Sequence, residues 1–132
     1  MQFLKPYTEC IHDTVRIVAG VLFFQHGAQK IFGILGMEES VELGSRLGLA
    51  GIIEMTTGAL IALGLFTPIA AFIASGEMAV AFFIAHVPRG SIWPLVNQGE
   101  PAVLFCFLFL YLASRDSGDW SLDRILRDRK GA

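Results

Sequence analysis

The chain has 132 residues, of which 54% are hydrophobic and only 17% charged, with a formal net charge of −2. That balance excludes an ordinary soluble domain, and with no basic run outside the last few residues it excludes nucleic acid as a partner. A positive mean hydropathy agrees with one membrane domain.

Residues 1–13, with Phe3, Leu4 and Tyr7 around Pro6, read as a short segment resting on the membrane surface. They lack a basic stretch followed by an apolar run and a cleavage site, so no removable signal peptide is expected. Residues 14–36 form the first predicted span, since about 20 mostly apolar helical residues cross a hydrocarbon core of about 30 Å. Within it lie His26 and Lys30. An ionisable group at that depth costs at least about 2.5 kcal/mol unless it faces other protein. At about 100° per residue, Gln25, His26, Gln29 and Lys30 share one arc with Gly33, which predicts a polar stripe turned toward the inside of a bundle.

Residues 37–45 carry Glu38, Glu39 and Glu42 and form an acidic connection. Residues 46–66 are the second span, whose Gly48, Gly51, Thr57, Gly58 and Gly64 allow helices to approach closely, within the chain or between copies. Glu54 sits inside it. Thr67-Pro68 marks a tight turn into the third span, residues 68–87, with Ser75, Gly76 and Glu77 near its middle and His86 at its far end. A loop with Pro88, Gly90, Pro94 and Gly99 follows, anchored at the interface by Trp93. The fourth span covers residues 97–115 and has Glu100 in its first turn. Residues 116–132 set Leu122, Ile125 and Leu126 against Arg124, Arg127, Arg129 and Lys130, the pattern of an amphipathic helix lying on the membrane beside Trp120.

The expected fold is therefore all-α, a single integral-membrane four-helix bundle of up-down-up-down order with a short C-terminal interfacial helix. An even number of spans puts both termini on one side. Lys5, Arg16 and the basic tail lie on that side, against Arg46 and Arg89 across the membrane, which predicts cytoplasmic termini. Cys10 precedes the first span and Cys106 lies within the last, so both read as ordinary thiols.

Counting depth from the span ends places His26, Glu54 and Glu77 near one level, Lys30 nearer the outer surface, and His86 and Glu100 near outer helix ends. Lys30 and Glu54 are expected to pair, because an unpaired charge there would neutralise instead of staying ionised. Such a pair either fastens helices or belongs to a site. Candidate proton-exchanging groups are Glu54, Glu77 and His26. Candidate ligand-binding groups are His26, Gln29, Lys30, Glu54, His86, Asn97 and Glu100. Two histidines at matching depth, as a haem would require, are absent. Glu-x-x-His repeats for a di-metal centre are absent too, and no metal centre is expected, a mononuclear His/Glu site being the one case left open.

Taken together, the residues make the chain similar to the DoxX family of small four-helix bacterial membrane proteins. Arg16, Gly20, Phe23, His26-Gly27, Gln29-Lys30 and Phe32-Gly33 resemble its first signature. Gly51, Glu54, Gly58 and Gly64 before Thr67-Pro68 resemble its second. Met78, His86, Asn97, Gly99-Glu100 and Trp120-Ser121-Leu122-Asp123 complete the resemblance over essentially the whole chain. It implies a location in the bacterial inner membrane and a membrane subunit of a thiosulfate:quinone oxidoreductase or of a redox or thiol-stress complex. With no redox-active cysteine pair, electron transfer would need a bound quinone or a partner's centre. Three expectations follow: a quinone-linked oxidoreductase subunit, a small proton- or solute-conducting protein, or a non-catalytic anchor whose basic tail recruits a redox partner. Homo-oligomers are compatible with each.

Overall fold

The computed structural model describes residues 2–131, and among these every regular element is helical. A 3-10 segment, Gln2–Tyr7, leads directly into α1 (Thr8–Phe32). Then come α2 (Arg46–Leu63) and α3 (Thr67–Ala81), the latter prolonged by a π turn, Phe82–His86, and a 3-10 turn, Val87–Arg89. A one-turn helix α4 (Pro94–Asn97) precedes α5 (Glu100–Ala113), and α6 (Leu122–Gly131) ends the chain.

Two of these segments, Arg46–Leu63 and Thr67–Arg89, are long and apolar enough to cross a membrane. The first helix begins at Thr8, not at residue 14. It ends at Phe32 because Gly33 turns left-handed at φ 61° and bonds back to the Gln29 carbonyl. Its 25 residues have the length to cross, but the Arg16-to-Lys30 polar positions lower its apolar character. The fourth long helix covers 14 residues, less than residues 97–115, because Gln98 is left-handed at φ 61° and separates Asn97 from the helix that starts at Glu100. At 1.5 Å per residue it is about 21 Å long, short of a full hydrocarbon core.

Close approach of backbones holds α1 to α2. A Cβ on Gly20 would lie 2.8 Å from the Gly58 carbonyl oxygen, and one on Gly27 would lie 2.6 Å from that of Gly51. The small-residue stripe is thus used inside the chain. On the other side α3 meets α5 through Ala70, Ala71, Ala74 and Met78 against Ala102, Phe109 and Leu112. Buried Ser75 adds a hydrogen bond from its hydroxyl to the Cys106 carbonyl at 2.8 Å. Phe23 bridges the two halves, 4.7 Å from Phe109 and 5.7 Å from Phe105. Lipid tails are as apolar as leucine, so fit and hydrogen bonds, more than apolar burial, hold such helices together.

Two expectations change here. The buried face of α1 is Arg16, Gly20, Phe23 and Gly27, while Gln25 and His26 are exposed. The glycines decide the helix's rotation, because only they let α2 come close, and Gln25 lies roughly 160° around from Gly27. The polar stripe therefore does not point inward as a unit. Nor is the segment after Arg115 a surface tail throughout, since Ser117, Gly118 and Ser121 are buried.

Candidate functional site

Lys30 is carried over α2 by the Gly27–Gly51 contact. Its ammonium lies 2.6 Å from Glu54 Oε2, with the Lys30 side chain 19% exposed and that of Glu54 5%. This is the pair expected from burial alone. The ammonium also reaches the His26 carbonyl oxygen at 3.4 Å. The loop after α1 folds back over this end, with Val41 N–H donating to the Lys30 carbonyl at 2.9 Å. Gln29 does not face a ligand space, since its side-chain amide donates to the Leu35 carbonyl at 2.8 Å and holds that loop.

Glu77, on α3, lies within electrostatic range of Glu54 and Lys30. Its Oε2 is buried and lacks a hydrogen-bond partner among the described residues. Glu77 also lines a groove of about 600 Å³ between α2 and α3, walled by Ala50, Ile53, Ile73, Gly76 and Val80, with Arg46, the first residue of α2, among its lining. Nothing stands within 4 Å of where a Gly76 side chain would begin. Unsatisfied buried oxygens are rare and call for a partner. The groove offers the space for one.

His26 lies at the flank of this cluster, within electrostatic range of Glu54 and edge-on to Phe105 at 6.1 Å, but on the exposed side of α1. The remaining predicted groups stand apart. His86 stacks on Phe82 and its Nδ1 lies 3.3 Å from the Asn97 carbonyl oxygen. The Asn97 side chain is spent on its own loop, donating to Ser91 O at 2.9 Å and accepting from Gly99 N–H at 2.8 Å. Glu100 is exposed at the start of α5. The predicted column therefore divides into a central cluster of Lys30, Glu54 and Glu77 flanked by His26, and a separate His86–Asn97 contact that shapes a loop. Among the described residues no three His, Cys, Asp or Glu side chains are grouped to hold a metal ion.

A second polar centre, at the opposite end of α1, was not anticipated. Arg16 is 0% exposed and donates to the carbonyls of Ile61 at 2.7 Å, Ala62 at 2.8 Å and Trp120 at 2.7 Å. It thereby supplies a cation to the α2 C-terminus, where free carbonyls and the helix dipole favour one. Asp13, also 0% exposed, stands 3.6 Å from the guanidinium and accepts the N–H groups of Asp119 at 3.1 Å and Trp120 at 3.0 Å. Gly118, at φ 79°, lies so close to Asp13 that no side chain would fit there. Residues 117–123 thus form a hook that returns to the ends of α1 and α2, and Asp123 closes it, accepting from Phe66 N–H at 2.8 Å and from the Ser117 hydroxyl at 2.6 Å. The Asp13/Arg16 spacing and the Trp120-Ser121-Leu122-Asp123 string were visible signals, but their meeting spans more than a hundred residues.

The family model of DoxX matches residues 12–87. A protein of Haemophilus influenzae, described as uncharacterized, is 39% identical over 128 residues, covering 93% of this chain and 96% of its own length. The chain belongs to the DoxX family. No solved structure matches it. DoxX membership makes it a membrane protein, in keeping with its two long apolar helices. The DoxX match contains Arg16, Lys30, Glu54 and Glu77 but ends before α5, so the hook's second half lies outside it.

Proposed function

We propose that this DoxX protein is the membrane subunit of a quinone-linked oxidoreductase complex, and that the groove between α2 and α3 takes the quinone. The observation that carries this reading is an apolar groove lined by Glu77, whose buried Oε2 has no partner among the described residues, with the Lys30–Glu54 pair in the same cluster. An amphiphile with an isoprenoid tail and a hydrogen-bonding ring suits such a lining, mostly apolar with few polar groups. A bound quinone supplies two-electron, two-proton chemistry. Glu77 would hold the ring by a hydrogen bond and exchange a proton at its carboxyl oxygen, while Ile53, Ile73 and Val80 exclude water. Lys30 and Glu54 would balance charge as that proton moves.

The chain is read as crossing the bacterial inner membrane four times with cytoplasmic termini. Lys5, Arg115 and the α6 basic residues lie at one end, with Arg46 and Arg89 at the other. Short α5 is compatible with this because Ile92, Trp93, Leu95 and Val96, just before it, expose a cluster of apolar side chains suited to the interface. On α6, exposed Leu122, Ile125 and Leu126 would face lipid, leaving its basic side chains for anionic headgroups or a redox partner.

Quinone content of the detergent-purified protein and titration with a short-chain quinone test the reading. Gly76→Leu starts from a position where a Cβ meets nothing within 4 Å and extends a side chain into the groove, and Glu77→Gln removes the proton exchanger. Each is expected to weaken quinone binding at least about tenfold, equivalent to about 1.4 kcal/mol. No co-purifying quinone together with no binding of the short-chain form refutes it.

A further inference from the structure

The outward face of α1 carries a second pattern, distinct from the groove, which is lined by α2 and α3. Ile11, Val18, Gln25 and Phe32 stand seven residues apart, Thr14 and Val21 fall between them at the alternating three-and-four spacing, and all six are exposed, while Ala28, the position of the series between Gln25 and Phe32, is buried. This is the spacing of a left-handed helix-pair seam, with polar residues at two core positions, Thr14, whose hydroxyl bonds to the Cys10 carbonyl of its own helix, and Gln25. Exposed apolar groups on a membrane helix need only lipid, but Gln25 needs more. Its level follows from its neighbours: Gly20 lies against Gly58 and Ala62, and Gly27 against Gly51 and Met55, so Gln25 is level with the middle of α2. Gln29 and Lys30, one turn further on, bond within the chain. Among the described residues Gln25 has no such partner, and a lipid tail offers it neither donor nor acceptor.

We propose that this face is the interface of a parallel homodimer in which Gln25 meets Gln25 of the partner subunit on the two-fold axis. A carboxamide both donates and accepts, so it is its own complement. Two copies inserted the same way meet at equal depth on such an axis, whereas a different transmembrane partner would have to bring its own polar group to that level. The small-residue stripes that otherwise join membrane helices are already committed between α1 and α2. The polar pair at a core position fixes the register of the seam.

The test uses the full chain in native membranes with Cys10→Ser and Cys106→Ser, and single cysteines at Val18, Val21, Phe72 or Leu104, all exposed. On mild oxidation Val18→Cys and Val21→Cys are expected to give homodimers, while Phe72→Cys and Leu104→Cys, on lipid-facing sides of α3 and α5, stay monomeric. In detergent, dilution of fluorescently labelled protein reads the dimer Kd. Gln25→Leu is expected to raise it about tenfold, the scale of hydrogen bonding between membrane helices, and Gln25→Asn to restore most of the affinity. Equal crosslinking at all four positions, or crosslinks from the α1 face only to a different protein, overturns the homodimer. An unchanged Kd in Gln25→Leu overturns the pairing that defines it.

Discussion

Replacing Arg16 with methionine keeps the side chain's length and removes its charge at the point where α2 ends and the C-terminal segment returns. Three bonds from the guanidinium are lost, to Ile61, Ala62 and Trp120, and Asp13 is left facing a neutral neighbour. Bonds to a charged group are worth roughly 1.5–3 kcal/mol each, so the gross loss is roughly 5–9 kcal/mol. Water reaching the freed carbonyls returns part of that, which leaves an expected destabilisation of about 3–5 kcal/mol, the range for breaking a buried ion pair. Asp13→Asn should cost only about 1–2 kcal/mol, since an amide oxygen in the place of Oδ2 still accepts the Asp119 and Trp120 N–H groups and Arg16 keeps its carbonyls. Thermal unfolding in detergent with limited proteolysis reads both effects. Arg16→Met is expected to lower the Tm by at least about 10 °C and to open residues 116–131 to protease before the helices melt. A variant within about 1 kcal/mol of the parent, with its C-terminal segment still protected, would refute the hook as a structural centre.

Lys30→Met and Glu54→Gln should each destabilise, with the double variant losing less than their sum; a coupling of at least about 1 kcal/mol in a double-mutant cycle is expected, and additive losses would show that the 2.6 Å contact contributes nothing. If that double variant regains stability while a partner-dependent redox assay stays dead, the pair belongs to the site, and recovery of both makes it a fastener. Gly58→Ala places a methyl 2.5 Å from the Phe24 nitrogen and should cost about 1–3 kcal/mol by detergent melting, whereas Gly76→Ala, with open space around it, should be neutral or slightly stabilising. Truncation after Ser117 removes Trp120, Ser121 and Asp123 from the hook and should destabilise the whole chain. Truncation after Arg124 should not, and the difference is measurable by the same melts.

The sequence by itself determined what local rules control. Apolar runs of membrane length and Thr67-Pro68 as the turn follow from propensities that act over a few residues, whereas Gly33 and Gly64, read as span positions, turn left-handed and end α1 and α2 short of residues 36 and 66. The Lys30–Glu54 pair was legible for a different reason, since a charge within a span neutralises unless an opposite charge in the same small bundle receives it. Rotation about a helix axis was beyond that reach. Gln25 and His26 looked inward because polarity suggests it, yet the Gly20–Gly58 and Gly27–Gly51 contacts fix α1's orientation and leave both outside. Long-range closure was beyond it as well. Asp13, Arg16, Ser117 and Asp123 are ordinary surface types in sequence, and they become a buried centre only because the chain's last segment folds back onto the ends of α1 and α2. Length and hydropathy decide how a chain meets a membrane, but which side of a helix is inside is decided by the neighbour that can come closest.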